Sequence, residues 1–166
     1  MVYERITKRI LYLSLSIAEE IFPYEMKNGK ISFEDAYRES IDLNLPEFAY
    51  YLISTVDGDP VGITGHYPED NKIWLGWFGV RPHYRNAGYG RDILLLTTKI
   101  VSQLGAKELY IYSGQRKEEH NAHKLYEKYG FIKTGEGILE GESILYFKGP
   151  VPVNEDIIIS NFRKGE

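Results

Sequence analysis

The chain contains no cysteine among its 166 residues. That absence excludes a disulfide framework, a thiol nucleophile and thiolate metal sites. Charge of one sign is also scarce: 20 Lys and Arg against 24 Asp and Glu leave a net charge of −4. No basic stripe appears, which argues against a nucleic-acid surface. The mild acidity favours a cationic partner instead. Long apolar runs are missing too. The stretch after Arg9 is broken by Ser14 and Ser16 and followed by Glu19-Glu20, unlike a secretory signal. No run approaches the roughly 20 apolar residues that a membrane span needs. The expected location is cytoplasmic, with no nucleic-acid or membrane partner.

Hydrophobic and charged fractions of 43% and 27% fit an ordinary globular protein, and the length fits one domain with one core. The 14 tyrosines read mostly as amphipathic packing residues, some of which can line a site. The organising stretch runs from Trp77 to Leu96, W-F-G-V-R-P-H-Y-R-N-A-G-Y-G-R-D-I-L-L-L. Trp77, Phe78 and Val80 have strand character, and Pro82 ends the strand by removing a donor. Ile93, Leu96, Ile100 and Leu104 then fall at helical spacing. Between them lie Arg85, Asn86, Ala87, Gly88, Tyr89, Gly90 and Arg91. A glycine loop at a helix N-terminus offers free N–H groups, close backbone approach and partial positive charge, the makings of a phosphate cradle. The Gly-Lys-Ser/Thr of a nucleotide-hydrolase loop does not follow it.

The pattern Val80-x-Pro82-x-x-Arg85-x-x-Gly88-x-Gly90 resembles the acyl-CoA pyrophosphate motif of the GNAT N-acetyltransferases. A second signature, Ala122-x-x-Leu125-Tyr126-x-x-x-Gly130-Phe131, is similar to that family's helix-then-strand motif. The resemblance covers roughly residues 50 to 148. It implies a mixed α/β GNAT acyl-CoA N-acyltransferase fold: a central, mostly antiparallel sheet of about seven strands with a parallel splayed pair, flanked by about four helices. One domain over residues 1–150 is expected, with a 151–166 tail that serves as an edge strand or a contact to a homodimer partner.

Local patterns fill in the rest. Helices are expected over 9–22, 33–43, 88–104 and 119–129, and strands over 2–6, 47–56, 60–67, 72–80, 107–112, 131–134 and 142–148. Ser32-x-x-Asp35 has the form of a helix-start box, and Asn28-Gly29 that of a turn. Gly76 and Gly79 interrupt the 72–80 strand, as at a bulge or a close backbone approach. Gly149-Pro150-Val151-Pro152 is expected to break structure.

The resemblance implies an acetyl-CoA-dependent N-acetyltransferase acting on a primary amine, either a small molecule or an N-terminal amine, by direct attack in a ternary complex without a metal. The alternative is a non-catalytic acyl-CoA-binding sensor of the same fold. Phe78 and Val80 would hold pantetheine, residues 85–91 the pyrophosphate, and Tyr126 would be the general acid. Phe22, Tyr24, Phe33 and Tyr37 border the implied acceptor site, although helix packing alone also explains them. Relatives often carry Asn where this chain has Glu119. The strand before the phosphate loop, Ile73 to Gly79, holds no carboxylate base, which leaves His66, Glu69, Asp70 or a water chain. That lack favours α-amines or weakly basic amines over polyamines. His120-x-x-His123 has metal-like spacing but lacks a nearby third ligand.

Overall fold

The computed structural model describes residues 1–24, 32–152 and 163–165. The strands are β1 (Val2–Arg5), β2 (Ala49–Ser54), β3 (Pro60–Glu69), β4 (Lys72–Leu75), β5 (Gly79–Val80), β6 (Glu108–Gly114), β7 (Ile132–Leu139), β8 (Glu142–Pro150) and β9 (Arg163–Lys164). The helices are α1 (Leu11–Ile21), α2 (Ser32–Leu43), α3 (Tyr89–Gln103) and α4 (His120–Lys128). Short 3₁₀ turns precede α3 at Pro82–Tyr84 and α4 at Lys117–Glu119.

The nine strands among the described residues share one sheet in the order β7-β8-β6-β4-β3-β2-β1-β9, with β5 paired to β3. Most pairings are antiparallel; β4 with β6, and β1 with β9, are parallel. The mixed α/β fold with a parallel pair is as the sequence implies. Strand period 2 sorts the side chains between two faces. On one face α1 and α2 bury Leu15, Ile17, Ala18, Ile21, Phe33 and Tyr37 against Tyr50, Leu52 and Ile63. On the other, α3 and α4 bury Leu94, Leu95, Val101 and Tyr126 against Leu109, Ile111 and Phe147. Each Leu, Ile, Val or Phe among them contributes about 1.5–3 kcal/mol by leaving water. A buried hydrogen bond of 2.7 Å between the Thr64 and Thr97 hydroxyls ties β3 to α3.

Helix ends follow local chemistry. Gly105, at φ 88, lies just beyond α3, the left-handed position that glycine takes without penalty. Gly58, at φ 94, turns the β2–β3 hairpin. Two expectations are corrected. β7 runs on to Leu139 rather than stopping near Thr134, because β8 pairs with it over that whole length. β8 runs through Gly149 to Pro150, opposite Leu109 and Glu108. Proline is tolerated there as the strand's last residue, and Gly149 admits the Phe131 ring against its backbone. The tail supplies β9 as an edge strand. Ile157 to Ile159, the Asn28-Gly29 turn and the Ser32 side chain lie outside the described residues.

Candidate active site

The site is organised by a break in the strand after β4. His66 on β3 stands opposite Leu75, yet Gly62 stands opposite Val80. Four steps along β3 thus match five along the other strand, from 75 to 80, which is a bulge of one residue. Trp77 within it adopts φ 42, a left-handed conformation that few non-glycine residues hold. Aromatic packing fixes it there: its ring lies 5.1 Å from Phe22 and 5.7 Å from Phe33.

The break opens the sheet. β4 and β6 are bridged at Trp74 and Tyr110, and β5 beyond the bulge pairs with β3 alone. The Arg81 amide donates to Val61 O at 2.9 Å. In an alternating strand the Val80 backbone therefore faces the other way, toward the opening. The two glycines sit in this bulge, as expected, and both take a close approach. A Cβ at Gly79 would strike Ile21 of α1, and one at Gly76 would stand 2.9 Å from the Tyr50 hydroxyl. They admit side chains from the α1–α2 face.

Residues 85–91 form the N-terminal cradle of α3. Asn86 at φ 61 and Gly88 at φ 87 turn the backbone into it. The first helical bond runs from the Asp92 amide to Gly88 O. The amides of residues 86–90 donate to no backbone carbonyl among the described residues. A Cβ at Gly88 would meet nothing within 4 Å, and one at Gly90 only Leu125 and Val80 at ordinary contact. Such a concave set of N–H groups suits a pyrophosphate. Arg85 donates through Nε to Val80 O at 3.0 Å, and Arg91 pairs with Asp92 at 2.8 Å. Ala87 is exposed, and the half-buried Tyr89 ring packs 6.0 Å from Tyr84.

Tyr126 enters from α4. It is 4% exposed, with its ring 6.2 Å from Phe78 and 5.6 Å from Phe147. Burial, and secondarily the Glu119 charge, push its hydroxyl well above the usual phenol range. Glu119, seven residues earlier, ends the 3₁₀ turn that precedes α4. Its Oε1 accepts from the Gly114 amide at 3.1 Å, and Arg116 Nε stands 3.7 Å from Oε2. Glu119 thus closes the end of β6.

His66 is fully buried. Its Nδ1 donates to Glu47 O at 2.9 Å, and its Nε2 faces the Tyr51 hydroxyl at 3.4 Å. Burial lowers its pKa to about 4. With both nitrogens engaged on the α3 side of the sheet, it is a packing residue and not a base. His120 and His123 likewise serve separate partners, Gln115 O at 3.2 Å and the Ser113 hydroxyl at 3.0 Å. Phe22, Phe33 and Tyr37 line the core beside Trp77. Tyr24 carries Arg116 at 3.6 Å over its ring and donates to Glu142 at 2.6 Å.

A tyrosine cluster was hidden in the sequence. Tyr50, Tyr67 and Tyr112 gather on the α1–α2 face at Gly76. The signal available was their alternation, which puts Tyr50 and Tyr67 on one face; their convergence needed the register.

The chain is similar to a "Probable spermine N(1)-acetyltransferase" of Bacillus subtilis subsp. natto, with 28% identity over 82% of this chain and 90% of that protein. A spermidine N-acetyltransferase SpeG chimera from Vibrio cholerae and hSSAT superposes with a TM-score of 0.69 at 14% identity, covering 90% of this chain and 94% of that one. A GNAT family acetyltransferase from Elizabethkingia anophelis, solved with acetyl-CoA bound, gives a TM-score of 0.54 at 22% identity over 68% and 82% of the two chains. The model of the acetyltransferase (GNAT) family matches residues 15–131, and the chain belongs to that family.

Proposed function

We propose that the protein transfers the acetyl group of acetyl-CoA to a terminal primary amine of a small polyamine. The observation that carries this reading is the strand break at Gly76–Phe78, with an anion cradle and a buried tyrosine on one side and a cluster of tyrosines on the other. The relative named as a spermine acetyltransferase supports the acceptor class. So do the aromatic rings of that cluster, a ring type that suits an ammonium ion, and the carboxylates of Glu39 and Glu69 near Tyr50 and Tyr67. The missing strand carboxylate pulls toward weaker amines, and the relatives outweigh it. The relatives lend nothing to a non-catalytic sensor.

In this reading the amides of residues 86–90 hold the pyrophosphate, with Arg85 and Arg91 beside them. The outward backbone of Phe78 and Val80 takes the pantetheine arm and meets the acetyl oxygen. Tyr126, protonated at any working pH, hydrogen-bonds the departing sulfur. The amine nitrogen forms the new bond to the acetyl carbon as the carbon–sulfur bond breaks. Of the ammonium's protons, one goes to solvent, one ends on the thiol through Tyr126, and one stays on the amide. The protein works in the cytoplasm, consistent with the lack of cysteine and with no helix among the described residues long and apolar enough to cross a membrane.

The test is thiol release from acetyl-CoA across an amine panel of spermine, spermidine, short diamines, amino acids and peptide N-termini. Turnover with polyamines above the rest supports the proposal. Turnover confined to α-amines overturns the acceptor class, and none with any amine overturns the transfer.

A further inference from the structure

Tyr24, Arg116, Glu119 and Glu142 meet at the outer end of β6, and the reaction as described uses none of them. The Arg116 guanidinium lies 3.6 Å over the Tyr24 ring. Its Nη1 donates to Glu142 Oε2 at 3.1 Å, while the Tyr24 hydroxyl donates to Oε1 of the same carboxylate at 2.6 Å. Arg116 Nε stands 3.7 Å from Glu119 Oε2, too far for a hydrogen bond. That oxygen is buried and has no hydrogen-bond partner among the described residues, although a buried carboxylate oxygen calls for a donor.

The place of this cluster follows from the sheet. Trp74 and Tyr110 are the bridged pair of β4 and β6, so β6 from Ile111 to Gly114 borders the opening. Arg116 comes two residues after the strand, in a turn held to the β7–β8 hairpin by the Gln115 amide on Ser143 O at 3.2 Å. The bulge lies just past Trp74, which leaves Arg116 about 10 Å beyond it along the strand direction. A short methylene chain between two amines spans such a distance. Tyr24 is 39% exposed, and the Arg116 and Glu142 side chains are 29% and 30% exposed, so a solute reaches the cluster from water. An aromatic face with carboxylates beside it suits an organic cation, and here the chain's own cation fills it. Two carboxylates against one guanidinium leave a surplus negative charge. An ammonium directs three donors from one point and can serve Glu119 Oε2 together with Glu142, which the flat guanidinium does not.

We propose that Arg116 fills the seat of the acceptor's second ammonium, and that a polyamine displaces it to lie between the Tyr24 ring and the carboxylates of Glu119 and Glu142. This rests on the polyamine reading above. The exchange trades one cation for another, so the local charge is kept. The displaced guanidinium regains water at the rim, and Glu119 Oε2 gains a donor. A monoamine with its nitrogen at the bulge has no second charge to offer and leaves Arg116 in place. Arg116 is thereby a specificity-determining residue, which sets di- and polycations apart from simple amines.

The experiment compares acetylation of spermine and of propylamine by the wild type, Arg116→Gln, and Arg116→Gln combined with Tyr24→Leu. Both positions lie at the surface, where folding tolerates such changes, and melting temperatures check it. Removing the resident cation should lower the spermine KM about tenfold with kcat little changed, and the propylamine KM should not follow. In the double variant the gain should vanish, because the ring that receives the ammonium is gone. A gain shared by propylamine, or one that survives loss of the Tyr24 ring, would show a general charge effect alone and overturn the seat. So would a spermine KM that Arg116→Gln leaves unchanged or raises. Calorimetric titration of spermine into the three CoA-bound proteins reads the same pattern as Kd, without turnover. A wild type that acetylates no amine therefore overturns the functional reading, while the Kd pattern still decides the seat.

Discussion

Tyr126 packs among Phe78, Phe131 and Phe147, so its ring is held while its hydroxyl makes no hydrogen bond to a described residue. Tyr126→Phe should lower turnover by about 10²-fold and leave acetyl-CoA affinity nearly intact, because the loss falls in the transition state. Calorimetric titration beside single-turnover kinetics checks both halves. His66 offers a test of stability. Its pKa in the folded protein is about 4, against about 6.5 when unfolded. The folded state therefore binds fewer protons, and stability is complete above pH 6.5 and falls as pH drops toward 4. The loss amounts to about 3 kcal/mol. His66→Gln should flatten that fall in urea unfolding measured at pH 7 and 4.5; an unchanged slope would place the loss in other groups. Tyr126 was legible because its spacing to Gly130 and Phe131 lies within one short stretch. The tyrosine cluster was not, because its members come from β2, β3 and β6 and only sheet register joins them. His66 looked eligible as a base until strand alternation set it on the α3 side.

Among the elements, the bulge between β4 and β5 decides most. Two glycines in the sequence announced an irregular strand, but not what presses on them. Gly65→Ala tests the bed beneath Tyr50. Its Cβ would meet the Tyr50 ring and stand 2.8 Å from the backbone oxygen of Ala49, which cannot yield cheaply. A loss of about 1–3 kcal/mol is expected, with reduced turnover as Tyr50 is displaced. The cradle separates two glycines that the motif treats alike. Gly88→Ala must hold φ 87 without glycine's freedom and should cost about 1 kcal/mol, with weaker acetyl-CoA binding. Gly90→Ala meets only ordinary contacts and should leave stability unchanged. Equal melting temperatures for the two variants would contradict this division. The cradle was legible because loop, glycines and helix are contiguous. The true ends of β7 and β8 were not, because partner strands override the Gly149-Pro150 signal.

At the scale of the molecule, one continuous sheet separates two chemistries. The α3–α4 face brings the cradle and Tyr126; the α1–α2 face brings the tyrosines, and the opening beside β6 joins them. An acceptor of lysine-like basicity is neutral in only about one molecule in 2,500 at pH 7. The most direct test is the comparison of kcat/KM for spermine with that for α-amines, read by thiol release from acetyl-CoA with the wild-type protein. The account predicts turnover with spermine above that with any α-amine. A preference for weakly basic α-amines over spermine would contradict it.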